Sequence, residues 1–489
     1  MSIPSRRELV IAVLGGVTAV VGSYVAAGYT PAFVIAPIDA QIVAWTPGVI
    51  VTYMIENVGE EAHLLHVSLA IITAVGAFGA LSFAGRRLGR RVEDPFVGGV
   101  VTGVSTWLLA TALTGELLYA LGPAVSIMVL TIALSLEQPT GEYEPSRRRT
   151  LVSLGAVAAF LGTGILGNRF FRGAPLPDAP NSEGSAERLE ELRQQSLDTA
   201  ASDLPGLVSS IEGFYNVDIA ELDPELPAEE WSLTLTGEIE SERTLTYDEL
   251  IERDVENRAV SLRCVGEQLN GRKLDTAVWT GTPIRPLIES VDPEGECGCA
   301  MLRAEDGYYV QFPIDVLADG FLVWGMNGKQ LPTAHGYPVR VLIPGHWGET
   351  NVKWLTEIEL LEREAEGYWE ERGWQGTGPV KTVAKLWDEG ITELGDGRVE
   401  LTGHAYAGTR GIDSVEVSVD GGETWNDADL SESLPDEDVW RQWRYTFESS
   451  GTHEAVVRAV DGEGTQQRRA ESDPAPTGAS GWVSKTIET

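Results

Sequence analysis

Cysteine and basic side chains are what this chain has little of. Its 489 residues include three cysteines, and these form neither a C-x-x-C pair nor a C-x-x-C-H haem attachment. No flavin fingerprint and no haem-binding domain is legible. Lysine and arginine number 36 against 73 acidic residues, a formal net charge of −37. A surface of that sign repels a phosphate backbone and speaks against nucleic acid as a partner. The same carboxylate excess keeps a protein hydrated at high ionic strength, where screening weakens self-repulsion, so a salt-loving source is expected. Cys297 and Cys299 sit in the turn-like segment ECGCA. A bond between residues two apart would be strained, so they are expected to be an unbonded loop feature.

Long apolar runs are abundant in the first third. They fall at about Leu9–Tyr29, His63–Ala84, Phe96–Thr114, Leu117–Leu136 and Leu151–Gly167. Each approaches the length a helix needs to cross ~30 Å of hydrocarbon, the fifth being the shortest. Pro37–Gly59 is apolar but broken at Pro47 and Gly48, which reads as an interfacial or re-entrant segment. Arg6 and Arg7, the cluster from Arg86 to Arg91, and Arg147–Arg149 flank the spans, whereas residues 30–62 hold acids and no Lys or Arg. The positive-inside rule puts the arginines in the cytoplasm and, with five spans, everything after Gly167 outside the cell. Arg147–Arg149 before a short apolar run also resembles a twin-arginine export signal; a plain positive-inside anchor explains the same residues. His63 and His66 share one helix face, which cannot clamp a haem from both sides, and read as interfacial histidines.

Past a linker the composition changes to alternating strands, glycine turns and short helices. In VSLRCVGEQLNGRKLDTAVWTG, an apolar β-prone run leads into Cys264 and a polar loop leaves it. A loop at the end of a buried strand holds a side chain still yet reachable, so the thiolate could serve as a soft metal ligand or a nucleophile. A buried structural thiol is the plain alternative. Further on, WGMNGKQLPTAHGYPVRVLIPGHWGETNVKWL gathers cations beside aromatics and glycines in a chain otherwise acidic. The last hundred residues read as short strands joined by glycine turns, with Asp420-Gly421-Gly422 a hairpin signal.

These stretches resemble the sulfite oxidase family of molybdopterin-dependent oxidoreductases, in its membrane-anchored branch, from about residue 205 onward. Leu262, Cys264, Trp279 and Gly281 match its metal-binding segment. Phe214, Tyr215 and Asp218 match an opening loop, and the M-N-G, H-G-Y-P-V-R, P-G and V-K-W pieces recur in the family's order. The resemblance implies a multi-domain chain. A transmembrane α-helical domain (1–168) and a linker (169–209) would precede an α+β molybdopterin domain (210–390) and an all-β immunoglobulin-like dimerisation domain (391–489). It implies a molybdenum–molybdopterin cofactor with Cys264 as the metal's thiolate. Cys264, Tyr308 and His346 would be catalytic, with Tyr309 competing for the tyrosine's place. Phe214, Tyr215, Asp218, His335, Arg340, Asn351 and Lys353 would hold the cofactor. The chemistry would be two-electron oxygen-atom transfer.

Substrate is where the pattern departs. Family arginines that hold sulfite fall here on Leu269 and Thr350, with Glu267 and Glu349 nearby. Arg263, Arg272, His346 and Trp347 are candidates for a different pocket, and a neutral S-oxide or N-oxide is the expected substrate. Sulfite oxidation is the alternative, as is a non-catalytic membrane-anchored adhesion protein with a degenerate core. Expected partners are membrane lipid, a quinone-linked or haem-carrying redox protein, and a second copy of the chain.

Overall fold

The structure, a computed structural model, describes residues 5–58, 62–136, 175–220, 222–395, 397–434 and 438–488. Contacts divide the chain into two units. The first comprises Met1–Thr46, Val58–Pro175 and Ala220–Glu225; the second comprises Pro47–Asn57, Leu176–Ile219 and Leu226–Thr489.

The first unit is helical. Helix α1 (Arg6–Ala27) begins at a capping box in which Ser5 and Glu8 satisfy each other's backbone amides. Ile35–Trp45 is α2. The apolar stretch breaks at Pro47, where a helix cannot continue, and α3 (Gly48–Asn57) belongs to the second unit. Helices α4 (Ala62–Arg91), α5 (Pro95–Thr114) and α6 (Leu121–Leu136) follow. Small residues let them approach closely: a Cβ on Gly16 would stand 2.0 Å from the Val75 carbonyl oxygen, and one on Gly122 2.4 Å from that of Gly22. Three helices (Arg6–Ala27, His63–Arg91 and Pro95–Thr114) are long and apolar enough to cross a membrane, or four if the broken pair counts as one; α6 is shorter. The expected fifth span and Arg147–Arg149 lie outside the described residues. Asp39 is fully buried and its Oδ1 meets His66 Nδ1 at 2.8 Å, a tie across α2 and α4 that sequence did not reveal.

After α3, the second unit continues with α7 (Glu183–Gln195). The expected linker is not free here. Leu189 and Leu192 pack into a core with Ala259 and Val278, and Ser185 Oγ bonds Asn257 and Thr280. One sheet holds β1 (Ser232–Gly237) and β2 (Arg243–Thr246), later joined by three more strands. After the short helix α8 (Tyr247–Ile251), β3 (Glu256–Arg263) and β4 (Leu274–Pro283) form a second sheet, and α9 (Arg285–Glu289) follows. Next come β5 (Cys299–Ala304), β6 (Tyr309–Pro313), α10 (Ile314–Ala318), β7 (Phe321–Met326), β8 (Lys329–Gln330), β9 (Arg340–Leu342) and β10 (Leu355–Leu361). The orders are β2-β1-β10-β5-β6, with β1 and β10 parallel, and β3-β4-β7-β8 with β9 on β7. This is the expected α+β domain.

Cys297 and Cys299 correct an expectation, for the structure joins them in a disulfide. Gly298, at φ +59°, reverses the chain and brings their Cα atoms to 5.2 Å, within a disulfide's span.

Two further sheets close the chain. The strands β11 (Val383–Lys385), β12 (Ile391–Glu393) and β13 (Arg398–Tyr406) precede β14 (Ile412–Ser418), β15 (Asn426–Asp427) and β16 (Asp429–Leu430). Then come β17 (Arg441–Glu448), β18 (Thr452–Asp461) and β19 (Val483–Glu488). Orders are β11-β13-β17-β16 and β15-β14-β18-β19. Leu401, Trp443 and Val399 from one sheet and Val415, Val457 and Ile487 from the other share one core, the packing of two facing sheets.

Candidate active site

Strand β3 is buried from Ala259 to Arg263, and the chain turns out of the sheet at Cys264. Successive strand residues point to opposite faces, so Arg263 and Cys264 part company. Arg263 is fully buried and pairs with Glu267 (Nε to Oε2, 3.2 Å), donates to the Lys381 carbonyl at 2.9 Å and stacks on Trp347. Glu267 also accepts from Lys385 Nζ at 2.7 Å, so one carboxylate on the cysteine loop is gripped by β3 and by β11. Cys264 faces an open cleft. It is the free cysteine among the described residues. Burial pushes its thiol up to about 11, while Lys273 and the Gly266 amide pull the other way.

The cleft's floor is built by the loop before β1. Asp275 holds that loop, accepting from Ser209 Oγ at 2.5 Å and from the Tyr215 amide at 2.9 Å. Phe214 and Tyr215 stack at 5.5 Å, and Phe214 meets Trp279 and His335 edge-on. Asp218 accepts from Lys353 Nζ at 2.8 Å; that ammonium also donates to the Asn216 side chain and the Ala334 carbonyl. Arg340 is buried and donates to the carbonyls of His335 (3.1 Å) and Asn351 (2.8 Å), and its Nε has no partner among the described residues. Burial pulls this guanidinium down to about 10. The Asn351 side chain braces the backbone, accepting from the Ile343 amide at 2.7 Å and donating to the Trp347 carbonyl at 3.1 Å. His335 stands behind Phe214 instead of on the cleft lining. Burial and the cations Arg340 and Lys353 bring it down to about 4, so it is neutral, and its Nδ1 has no partner among the described residues.

The rim is aromatic and acidic. Tyr308 lines the cleft and its hydroxyl donates to the Glu349 carbonyl at 2.9 Å; Tyr309 turns to Tyr368. Trp369 and Trp374 line the cleft, whereas Arg372 lies 3.6 Å over the Tyr368 ring. Glu349 also lines it, its carboxyl set beside that of Glu370. Burial, then Glu370, raises Glu349 to about 8.

Several sequence candidates lie elsewhere. His346 is off the lining, its Nδ1 at 3.0 Å from the Pro344 carbonyl. The alternative pocket of Arg263, Arg272, His346 and Trp347 does not form on the cleft, since Arg272 is exposed and paired with Glu389. Leu269 packs among apolar residues and the Thr350 hydroxyl donates to the Trp347 carbonyl. Sequence reading missed Lys273 and Glu370. The signal for Lys273 was the register of the β3–β4 pair, which needs the loop length between them.

Would a molybdopterin fit? Buried Arg340 and His335 each keep an unpartnered nitrogen near the cleft, as a phosphate-bearing ligand requires. Gly336, at φ +107°, leaves bare backbone where a Cβ would stand 3.0 Å from Lys353 Cα. Among the described residues no three His, Cys, Asp or Glu side chains converge on a metal position. Cys264 thus offers one protein donor, which suits a metal whose other donors arrive with the cofactor. The residues fit, and the arrangement is that of a cofactor-dependent redox enzyme with one cysteine sulfur at its cleft.

Comparison with known proteins gives that class a family. Residues 219–369 match the oxidoreductase molybdopterin binding domain, and 379–472 the Mo-co oxidoreductase dimerisation domain. The chain is similar to sulfite oxidase of Arabidopsis thaliana, 25% identical over 316 residues, or 52% of this chain and 80% of that one. It is similar to mitochondrial sulfite oxidase of Mus musculus, 33% identical, covering 41% and 46%, and to NADH nitrate reductase of Volvox carteri, 25% identical, covering 49% and 35%. It thus spans less than half the length of the mouse and algal proteins. Among solved structures, the sulfane dehydrogenase SoxCD of Paracoccus pantotrophus aligns at TM-score 0.49 and 18% identity, covering 60% of this chain and 86% of that one. The chain is a molybdopterin oxidoreductase of the sulfite oxidase and nitrate reductase type, with a Mo-co dimerisation domain and a molybdenum–molybdopterin cofactor. The adhesion-protein alternative is set aside on that ground.

Proposed function

We propose that the chain is a membrane-anchored enzyme that carries out oxygen-atom transfer on a small S-oxide or N-oxide outside the cell membrane. The cofactor, when bound, supplies the two-electron oxygen-transfer chemistry. Cys264 would hold its metal; Arg340, Lys353, Asp218, Asn351, Phe214, Tyr215 and His335 would hold and brace its pterin. Tyr308, with its hydroxyl fixed on the Glu349 carbonyl, would position the reacting group, and His346 is kept as a more remote candidate.

The observation that carries the substrate reading is the cleft's charge. Leu269 and Thr350 bring no cation to it, and Glu349 adds a carboxyl instead. With Arg340 and Lys353 given to the cofactor, a small dianion would find the single ammonium of Lys273, which half neutralises it, whereas a neutral oxide needs one donor and an apolar wall. Sulfite oxidation is the second reading, favoured by the names of the relatives. The apolar helices support membrane anchoring, and the arginine clusters support an extracytoplasmic catalytic unit. The dimerisation domain supports a homodimer. A quinone-linked or haem-carrying protein is the proposed redox partner, and a salt-loving source follows from the charge.

The test is molybdenum content of the full chain, wild type beside Cys264→Ser, with turnover of sulfite, dimethyl sulfoxide and trimethylamine N-oxide compared in the same preparation. About one molybdenum per chain and oxide turnover above sulfite turnover are expected. Efficient sulfite turnover refutes the oxide reading.

A further inference from the structure

Lys273 is the cation on the cleft that neither sequence nor cofactor accounts for. It precedes β4 as Cys264 follows β3. The last pair in the ladder is Arg263 with Leu274, and the Cys264 amide donates to the Lys273 carbonyl at 3.0 Å. The register therefore runs one step beyond the strands and sets Lys273 opposite Cys264. Opposed residues of an antiparallel pair project to the same face, and both side chains line the cleft.

The neighbouring acids are engaged elsewhere. Glu267 is taken by Arg263 and Lys385, Asp218 by Lys353, and Glu349 by Glu370. Among the described residues no carboxylate pairs with the Lys273 ammonium, in a chain where acids outnumber bases two to one. Arg340 and Lys353 differ, being tied to carbonyls and, for the lysine, to a carboxylate. Lys273 is thus a cation beside the thiol with nothing of the protein's own to bind.

We propose that Lys273 is the substrate-orienting cation of this cleft, its ammonium receiving the oxygen of an S-oxide or N-oxide beside Cys264. The inference rests on the oxide reading above. Sulfoxide and amine oxide oxygens carry concentrated negative charge on a neutral molecule. One ammonium satisfies such an oxygen with a charge-assisted hydrogen bond and turns it toward the thiol side of the cleft. A single lysine does not neutralise a dianion, which ties substrate choice to this residue.

The experiment uses the cofactor-loaded full chain at one fixed salt concentration, as wild type, Lys273→Met and Lys273→Arg. Three quantities are read: molybdenum content, kcat and KM for dimethyl sulfoxide and trimethylamine N-oxide with a dye reductant, and affinity for inorganic phosphate by calorimetry. With the cofactor in place Arg340 and Lys353 are occupied, so phosphate probes the remaining cation. Expected is full molybdenum in all three. Lys273→Met should raise KM about 10- to 100-fold, lower kcat much less, and weaken phosphate binding by a similar factor. Lys273→Arg should recover most of both. Unchanged KM and phosphate affinity in Lys273→Met overturn the proposal, and so does loss of molybdenum in both variants, which would make Lys273 a support of the cofactor. If wild type reduces neither oxide but phosphate affinity still falls in Lys273→Met, the oxide reading and with it the oxide-orienting role fail, and what survives is an anion contact at Lys273.

Discussion

Glu349 and Glu370 meet at the rim of the cleft, and among the described residues the backbone amides of Gly376 and of Glu370 itself are the donors their four oxygens find. Two such carboxyls hold together by sharing a proton, and Glu349 keeps its proton to about pH 8. The consequence for stability has a definite sign. Below about pH 4.5 the group is protonated folded or unfolded, and the pair's contribution is fully present. Between 4.5 and about 8 the unfolded chain releases the proton while the folded chain retains it, so stability falls; above 8 the loss is complete. The whole interval corresponds to roughly 5 kcal/mol, and sharing across two carboxyls, one of them half-exposed, leaves about 2–3 kcal/mol. Glu349→Gln keeps the shape, donates to Glu370 and cannot ionise. Urea unfolding of the solubilised full chain, followed by tryptophan fluorescence in molar KCl, should find wild type and variant within about 0.5 kcal/mol at pH 5. At pH 8.5 the variant should be the more stable by about 2–3 kcal/mol. Asp275 and Asp438, also raised by burial, titrate in both proteins and cancel in the difference. A wild-type-to-variant difference that is the same at both pH values would refute the shared proton.

Three other outcomes are expected. Gly336→Ala strains a residue at φ +107° and drives a Cβ against Lys353, so it should cost about 1–3 kcal/mol and lower the molybdenum content measured by elemental mass spectrometry. Tyr406→Phe removes the hydroxyl that donates to Asp438 at 2.6 Å and should destabilise by about 1–3 kcal/mol in the same urea assay. With a net charge of −37, the chain should unfold at a higher temperature in molar KCl than in dilute buffer; equal midpoints would remove the halophilic reading.

What could be read from sequence followed the reach of each signal. Hydropathy runs located the helices of the first unit, and Pro47 located the break between α2 and α3, because both effects are local. The end of a buried strand at Cys264 was legible for the same reason. Lys273 was not, since its place depends on which residue pairs across a loop of eight intervening residues. Arg263 looked like a cation for the substrate, but alternation along β3 sends it to the face opposite its neighbour Cys264. The Asp39–His66 contact joins residues 27 apart in the chain and needs the helix packing before it can be seen. The segment Glu183–Gln195 passed for a linker because its acid-rich surface hides two leucines that face a core.

The clasp at Glu267 gives the thiol loop a mechanical connection. Its carboxylate, nearly excluded from water, bridges Arg263 at the end of β3 and Lys385 on β11, so one side chain rivets the loop to the sandwich behind it. Loss of either cation would strand buried charge, so the joint resists parting under load. The loop that carries the Cys264 sulfur is thereby fastened to the sandwich through a single buried side chain.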